Sequence, residues 1–266
     1  MKIIVCIKQV PESQEAEMDV NGGVLLRGTA RGRLNPFDAA ALEAALQIKE
    51  ASGGYISVLT MGPERAGEVL QTALAMGADE GVLVTGTVFA GADVLATASA
   101  LGDAVQTMGA FDLLLFGSQT TDGDIGQTGP ETAQILSLPC ISNVGEISYR
   151  DHKIFFSLRM TGYVQKGEAG LPCAACVRPE NYPPRIPSLR QRMEAKKREI
   201  RILTGDNLTA HARYGKNGSA TSVVHIYPAE GRRRGRCAAD READAAGAFQ
   251  KLLHAFESGG DIFEGI

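Results

Sequence analysis

The 266-residue chain has no run of eighteen or more apolar residues, which excludes a membrane-spanning helix. It has no Gly-Lys-Ser/Thr, and no Gly-x-Gly-x-x-Gly after any predicted strand, so the Walker A loop and the Rossmann fingerprint are both missing. Histidine is scarce: His152, His211, His225 and His254 are scattered, and none falls at a predicted parallel strand end. No Gly-x-Ser-x-Gly elbow exists, so nothing joins a nucleophile to a base and any chemistry belongs to a bound cofactor. Positive charge is not in excess either. The net charge of −4 argues against general nucleic-acid binding.

Cysteine is also sparse, at five: Cys6, Cys140, Cys173, Cys176 and Cys237. The N-terminus, MKIIVCIKQVPE, reads as a first strand, since its apolar stretch is short and no small-residue cleavage site follows. Reduced thiols in the cytoplasm are expected, with no membrane insertion. Cys173 and Cys176 share the extended segment LPCAACVR, where residues three apart point to opposite faces. They cannot readily pair or share a metal, and no second Cys/His pair at zinc spacing completes a site, so no metal is expected.

What the chain does have is alternation. Residues 2–8 form a nearly continuous apolar run, the pattern of a strand buried on both faces. MDVNGGVLLRG reads as a small hairpin about Asn-Gly-Gly. In NPFDAAALEAALQIKEASGG, Asn35 is a candidate N-cap, Pro36 sits at the first helical position, Asp38 lies in the first turn, and Gly53 and Gly54 stop the helix. Strand, helix, strand, helix and strand follow through YISVLTMG, PERAGEVLQTALAMGA, EGVLVTG, DVLATASALGDAVQTMGA and FDLLLFG.

This order predicts an α/β fold with an open, mostly parallel, doubly wound sheet. Ligands of such sheets bind at the carboxyl ends of the strands, here Lys8, Met61 and Gly117. Residues 140–180 read as an antiparallel extension, followed by a proline-rich loop and short helix over 183–198. Residues 205–239 are polar and resemble a linker. The chain closes on an amphipathic helix with Ala245, Phe249, Leu252, Leu253 and Phe256 on one side. That helix either packs back on its own domain or clasps a partner. The expected division is 1–204, a nucleotide-binding domain, and 205–266, a linker and arm.

The segment GSQTTDGDIGQTGP, residues 117–130, carries four glycines between a strand and a helix. An EF-hand starting at Asp122 would need an oxygen ligand at Gly126 and a glutamate at Ala133, so calcium is excluded. What remains is a glycine-rich loop whose amides and following helix N-terminus can face an anion without any lysine. Asp122 and Asp124 would repel phosphate but suit hydroxyls. The loop therefore points to a nucleotide with both phosphate and polyol, a description met by AMP and by FAD.

The chain resembles the β subunit of electron transfer flavoproteins, on VCIKQVPE, LNPFDAAALEAAL, ALAMGADEGVLV and GSQTTDGDIGQTGP; IPSLRQRMEAKKREI resembles the family's recognition loop and basic helix. The resemblance implies an adenine-nucleotide-binding HUP-like fold and a heterodimer with an α subunit that carries FAD. It also implies a second nucleotide in this chain: structural AMP in the housekeeping branch, FAD in the electron-bifurcating branch. The matching nucleotide positions are Cys6, Asn35, Pro36, Phe37, Asp38, Met61, Gly117, Ser118, Gln119, Thr120, Thr121, Asp122, Gly123, Asp124, Ile125, Gly126, Gln127 and Thr128. Leu189 matches the apolar anchor that docks acyl-CoA dehydrogenases.

AMP-binding members typically carry Asp-Asp-Asp and Gln-Thr-Gly-Gln, whereas DGDIGQTGP is similar to bifurcating members, and Gly123 leaves room for a larger ligand. The resemblance then implies electron transfer from NADH, with one electron passing through the α-subunit FAD to an acyl-CoA dehydrogenase and the other to ferredoxin or flavodoxin. The alternatives are the AMP-binding scaffold subunit and a stand-alone nucleotide sensor.

Overall fold

The computed structural model describes residues 1–12, 18–19, 24–25, 32–209, 213–222, 246–247, 249–250 and 253–254. The chain divides into two compact units, Met1–Val224 and His225–Ile266. In the second unit, residues 246–247, 249–250 and 253–254 have helical backbone, within the predicted terminal helix. Ala245, Leu252 and Phe256 of its apolar side lie outside the described residues, as do the RRRGR cluster, His211, His225 and Cys237.

The first unit begins with β1 (Lys2–Cys6), buried from Ile3 onward as its apolar run requires. Next, β2 (Gln9–Pro11), β3 (Met18–Asp19), β4 (Val24–Leu25) and β5 (Gly32–Leu34) make two small antiparallel pairs, β2 with β5 and β3 with β4. The alternation follows as α1 (Pro36–Ser52), β6 (Tyr55–Met61), α2 (Gly67–Met76), β7 (Glu80–Val84), α3 (Val94–Met108) and β8 (Leu113–Gly117). Pro36 stands at the start of α1, and Gly53 ends it at φ 72°. The remainder is α4 (Thr128–Ile135), β9 (Cys140–Arg150), β10 (Lys153–Met160), β11 (Tyr163–Gly170), β12 (Cys173–Val177), α5 (Leu189–Ala195), β13 (Ile200–Leu203) and α6 (Gly215–Gly218).

Nine strands form one sheet in the order β11-β10-β9-β12-β8-β1-β6-β7-β13. From β9 to β13 every neighbouring pair is parallel; β9, β10 and β11 form an antiparallel meander at one end. Alternate residues serve two cores. Ile3, Val5, Leu113, Leu115 and Cys173 pack with α1 and α2, while Ile4, Cys6, Leu114, Phe116 and Cys176 pack with α3 and α4. The sheet is therefore covered on both faces, and Cys173 and Cys176 stand on opposite sides of it.

Two expectations need correction. Residues 140–180 are antiparallel only through β11, because β12 returns to pair parallel with both β8 and β9. All five β12 residues are buried, so the strand has no polar side to show to water and needs cover on both faces. The polar segment after 205 is not a linker from its start. Leu208 and Tyr214 are buried, the Tyr214 ring lies 5.2 Å from that of Phe89, and its hydroxyl donates to Asp103. Among the described residues, no helix is long and apolar enough to cross a membrane.

Candidate functional site

β1 lies between β8 and β6, so the chain crosses to one side of β1 early and to the other later. That is the switch point at which open α/β sheets form a crevice. The ends of the three strands, Cys6, Met61 and Gly117, share this edge, and α1 begins there.

Asn35 occupies the N-cap position, but its side chain makes no capping bond. Instead Nδ2 donates to the carbonyl of Gln119 at 2.9 Å, tying the start of α1 to the loop. The residue is fully buried, and its Oδ1 has no protein partner. Asp38, in the same turn, reaches the strand ends: Oδ2 accepts from the Lys8 amide at 2.8 Å and Oδ1 from the Gly117 amide at 3.2 Å.

Burial pushes the Asp38 carboxyl up to about 7, although the Asn35 side chain and the Lys8 and Gly117 amides favour its charged form. Burial likewise raises the neighbouring Cys6 thiol, and the Asp38 charge adds to the effect. Gly117 is required here. A Cβ on it would lie 2.4 Å from Asp38 Oδ1 and 2.6 Å from the Phe37 carbonyl carbon.

Beyond Gly117 the loop folds back on itself. The Asp124 amide donates to the Thr120 carbonyl at 3.0 Å, and Asp124 and Gly126 take φ values of 54° and 67°. A Cβ on Gly126 would approach the Ser118 carbonyl to 2.8 Å, so close approach and positive φ together call for glycine. Gly123 differs: its backbone is not left-handed, and the one atom near a Cβ would be Thr120 Oγ1 at 3.6 Å. The fold itself has room for a side chain at 123.

The sequence reads the loop as able to face an anion without any lysine, and Asp122 and Asp124 as suited to ligand hydroxyls; the structure adds a protein partner to each carboxylate. Lys8 Nζ bonds both oxygens of Asp122, at 2.8 and 2.7 Å, and Gln119 Nε2 donates to Asp124 Oδ1 at 2.5 Å. Burial alone would raise the Asp122 carboxyl, but the bond and charge of Lys8 outweigh it and hold the group below its ordinary value. Pairing with Lys8 offsets the charge of Asp122 towards phosphate, whereas Asp124, bonded to the neutral Gln119 amide, keeps its own. Lys8 could have been found only by noting that it follows the first strand, at the edge where the loop begins.

α4 opens at the other end of the loop. The amides of Thr128 and Gly129 lie outside its intrahelical ladder, and Pro130 has none to offer. The helix presses closely on the sheet, since a Cβ on Gly129 would meet Cys176 Sγ at 2.7 Å and Phe116 Cγ at 3.0 Å. Amides at a helix start suit phosphate, the hydroxyls of Ser118, Thr120, Thr121 and Thr128 lie on the same loop, and Asn35 contributes an unmatched acceptor at its base. A nucleotide fits this donor and acceptor set. Ile125 adds an apolar side chain, 56% exposed, at the loop tip. Met61 shares the edge, but none of the hydrogen bonds described joins it to the loop.

Leu189 belongs to another surface. It opens α5, whose capping box is Ser188 with Gln191, and it is 75% exposed beside Ile186 and Met193. The segment before it is held to α1 by Arg185, which bonds Glu43 through Nε at 2.8 Å and Glu50 through Nη1 at 2.6 Å. Residue patterns gave no sign of this clamp, because its partners are 135 and 142 residues apart.

Residues 22–207 match the electron transfer flavoprotein domain family. The chain is 38% identical over 235 residues to the caffeyl-CoA reductase–Etf complex subunit CarD of Acetobacterium woodii, a match spanning 87% of this chain and 90% of that protein. It is 38% identical over 226 residues to the electron transfer flavoprotein subunit beta of Thermoanaerobacterium thermosaccharolyticum, covering 84% and 86% of the two. Protein FixA of Azorhizobium caulinodans is 35% identical over 236 residues, covering 85% and 84%.

Proposed function

The chain belongs to the electron transfer flavoprotein family, and from that premise we propose that it is the β-type subunit of a bifurcating heterodimer, holding FAD in the loop of residues 117–128. The observation that carries the choice of FAD is Gly123. Neither backbone conformation nor neighbouring atoms require glycine there, and the open space is room in which a ligand larger than AMP can lie. The relative from Acetobacterium is named as part of a caffeyl-CoA reductase–Etf complex, which supports a flavoprotein that works with an acyl-CoA-linked redox partner.

A flavin bound here would supply the redox chemistry, with NADH as the electron donor and, as acceptors, ferredoxin or flavodoxin and, by way of the α subunit, an acyl-CoA dehydrogenase. The chain's residues do the holding. Thr128 and Gly129, at the start of α4, would offer amides to a phosphate, and Ser118, Thr120 and Thr121 would offer hydroxyls. Lys8 cancels the charge of Asp122 beside them. Asn35 and Asp38 fix the base of the loop, and Ile125 offers an apolar contact. Leu189, with Ile186, is the anchor for the dehydrogenase.

Structural AMP is the second reading, favoured by Thr128, a position shared with AMP-binding members. Flavin and AMP released from the complex co-purified with its α subunit separate the two. Two FAD per heterodimer support the proposal, one FAD with one AMP selects the second reading, and a stable monomer that binds nucleotide alone points to the stand-alone sensor.

A further inference from the structure

Asp38 is 5% exposed and has no cation of its own, since the ammonium of Lys8 is committed to Asp122. Each of its two carboxylate oxygens takes one backbone amide: that of Lys8, just past the end of β1, and that of Gly117, the last residue of β8. These two residues begin the two chain segments that meet across the crevice, and they meet again through Lys8 and Asp122. Gly117 is bare of a side chain because Asp38 Oδ1 occupies the space a Cβ would take. A carboxylate in this place is a two-pronged acceptor between two donors.

We propose that Asp38 is a positioning residue that clamps the two strand ends and so holds the nucleotide loop in its binding shape, and that protonating it opens the clamp and weakens nucleotide binding. The inference rests on the reading of residues 117–128 as the nucleotide loop. Protonation removes the charge and turns one oxygen into a hydroxyl, a weaker acceptor than a carboxylate oxygen, so the charge-assisted bonds to the Lys8 and Gly117 amides are both weakened, the one on the hydroxyl most. Burial brings this carboxyl to about 7, within the neutral range.

The groups facing it do not share that range. The Cys6 thiol on β1 is pushed upward by burial, Lys8 is paired with Asp122, and Asp122 is held below the ordinary carboxylate value. Asn35 on its own helix does not titrate. Asp38 is thus the group at this junction that changes charge near neutrality.

The test uses the chain co-purified with its α subunit, with FAD titrated into nucleotide-depleted complex between pH 5.5 and 8.5 and AMP compared only as the difference between wild type and variant, because its own phosphate titrates at about pH 6. In the wild type, affinity for the bound nucleotide falls roughly tenfold from pH 8 to pH 6, the limit for one proton being a factor of ten per unit. Asp38→Asn, which keeps one acceptor and turns a donor toward the other amide, binds about tenfold more weakly at pH 8 and shows no such pH dependence. Should the variant fail to fold, amide hydrogen exchange in the wild type replaces it. Lys8 and Gly117 then lose protection as pH falls from 8 to 6, while Ile7, bonded to the Leu59 carbonyl, keeps its own. The same pH profile in wild type and variant, or unchanged protection at Lys8 and Gly117, overturns the clamp. A wild-type complex that takes neither nucleotide at any pH overturns the loop reading, and the clamp with it.

Discussion

The ammonium of Lys8 bonds both carboxylate oxygens of Asp122, joining the segment after β1 to a loop 114 residues later. The Lys8 side chain is 45% exposed, so the pair is worth no more than about 1 kcal/mol to the fold. Its weight falls on binding. Lys8→Gln leaves the Asp122 charge facing an incoming phosphate and is expected to weaken nucleotide binding about tenfold, near 1.4 kcal/mol. Asp122→Asn removes that charge and is expected to cost less, and the double variant falls between the two. Calorimetric titration of all four forms closes the cycle. Equal losses in the two single variants would show that Lys8 does not act by neutralising Asp122.

Two glycines of the same loop separate fold from function. Gly117→Ala puts a methyl 2.4 Å from Asp38 Oδ1 and against the backbone of Phe37. Overpacking of this kind is expected to cost about 1–3 kcal/mol and to empty the site. Gly123→Ala meets one atom at an ordinary 3.6 Å and is expected to leave the melting temperature within about 2 °C. Gly123→Asp adds bulk and charge where the larger ligand is proposed to lie, and shifts the retained nucleotide from FAD toward AMP. Chromatography of the released nucleotides reads the ratio, and an unchanged ratio removes Gly123 from the argument.

The charge on Asp38 also sets a pH dependence of stability. Its carboxyl rises from 3.8 to about 7 on folding, so the folded state keeps a proton that the unfolded chain has lost. Stability from this group is full below about pH 4 and declines as pH rises toward 7. Asp38→Asn lacks that term. Between pH 5 and pH 7 its stability relative to the wild type is expected to improve by about 2 kcal/mol, at up to 1.4 kcal/mol per unit, and then to level off. Urea unfolding of the nucleotide-free protein at several pH values measures the difference. A constant difference across the range would place the titration elsewhere.

The parts of this site legible in the sequence were those written in neighbouring residues. Pro36 after Asn35 marked the start of α1, and glycines between an apolar run and a helix marked the loop. Partnerships across the fold left no such trace. Asn35 has the identity of a cap but uses its amide on Gln119, because the folded loop offers a buried carbonyl within reach. Lys8 and Asp122 are ordinary charges until strand order makes them neighbours. Tyr214 sits in a polar stretch whose average hid one large ring that fills a gap against Phe89. The buried run of β12 was a parallel-strand pattern on its face, and its three antiparallel predecessors obscured it.

The clamp of Arg185 gives a prediction that nucleotide binding does not share. Glu43 keeps only 7% of its side chain exposed, and burial, which would raise its carboxyl, is outweighed by the Arg185 bonds, leaving it below its ordinary value. Arg185→Ala strands that charge. Breaking a fully buried pair costs 3–5 kcal/mol, but Arg185 is itself 33% exposed, so a loss of about 1–3 kcal/mol is expected. The same change frees the segment that presents Ile186 and Leu189, at 86% and 75% exposure. Leu189→Ala removes apolar contact area from a side chain the fold does not bury, so its stability cost stays within about 0.5 kcal/mol. Both variants should weaken association with the dehydrogenase, Leu189→Ala through the contact and Arg185→Ala through its support, while the nucleotide content of the complex stays at the wild-type level. Surface plasmon resonance with the dehydrogenase and nucleotide quantitation on the same samples test this together. Loss of nucleotide in either variant would tie the docking segment to the loop through α1, and full association by Leu189→Ala would move the docking surface away from α5.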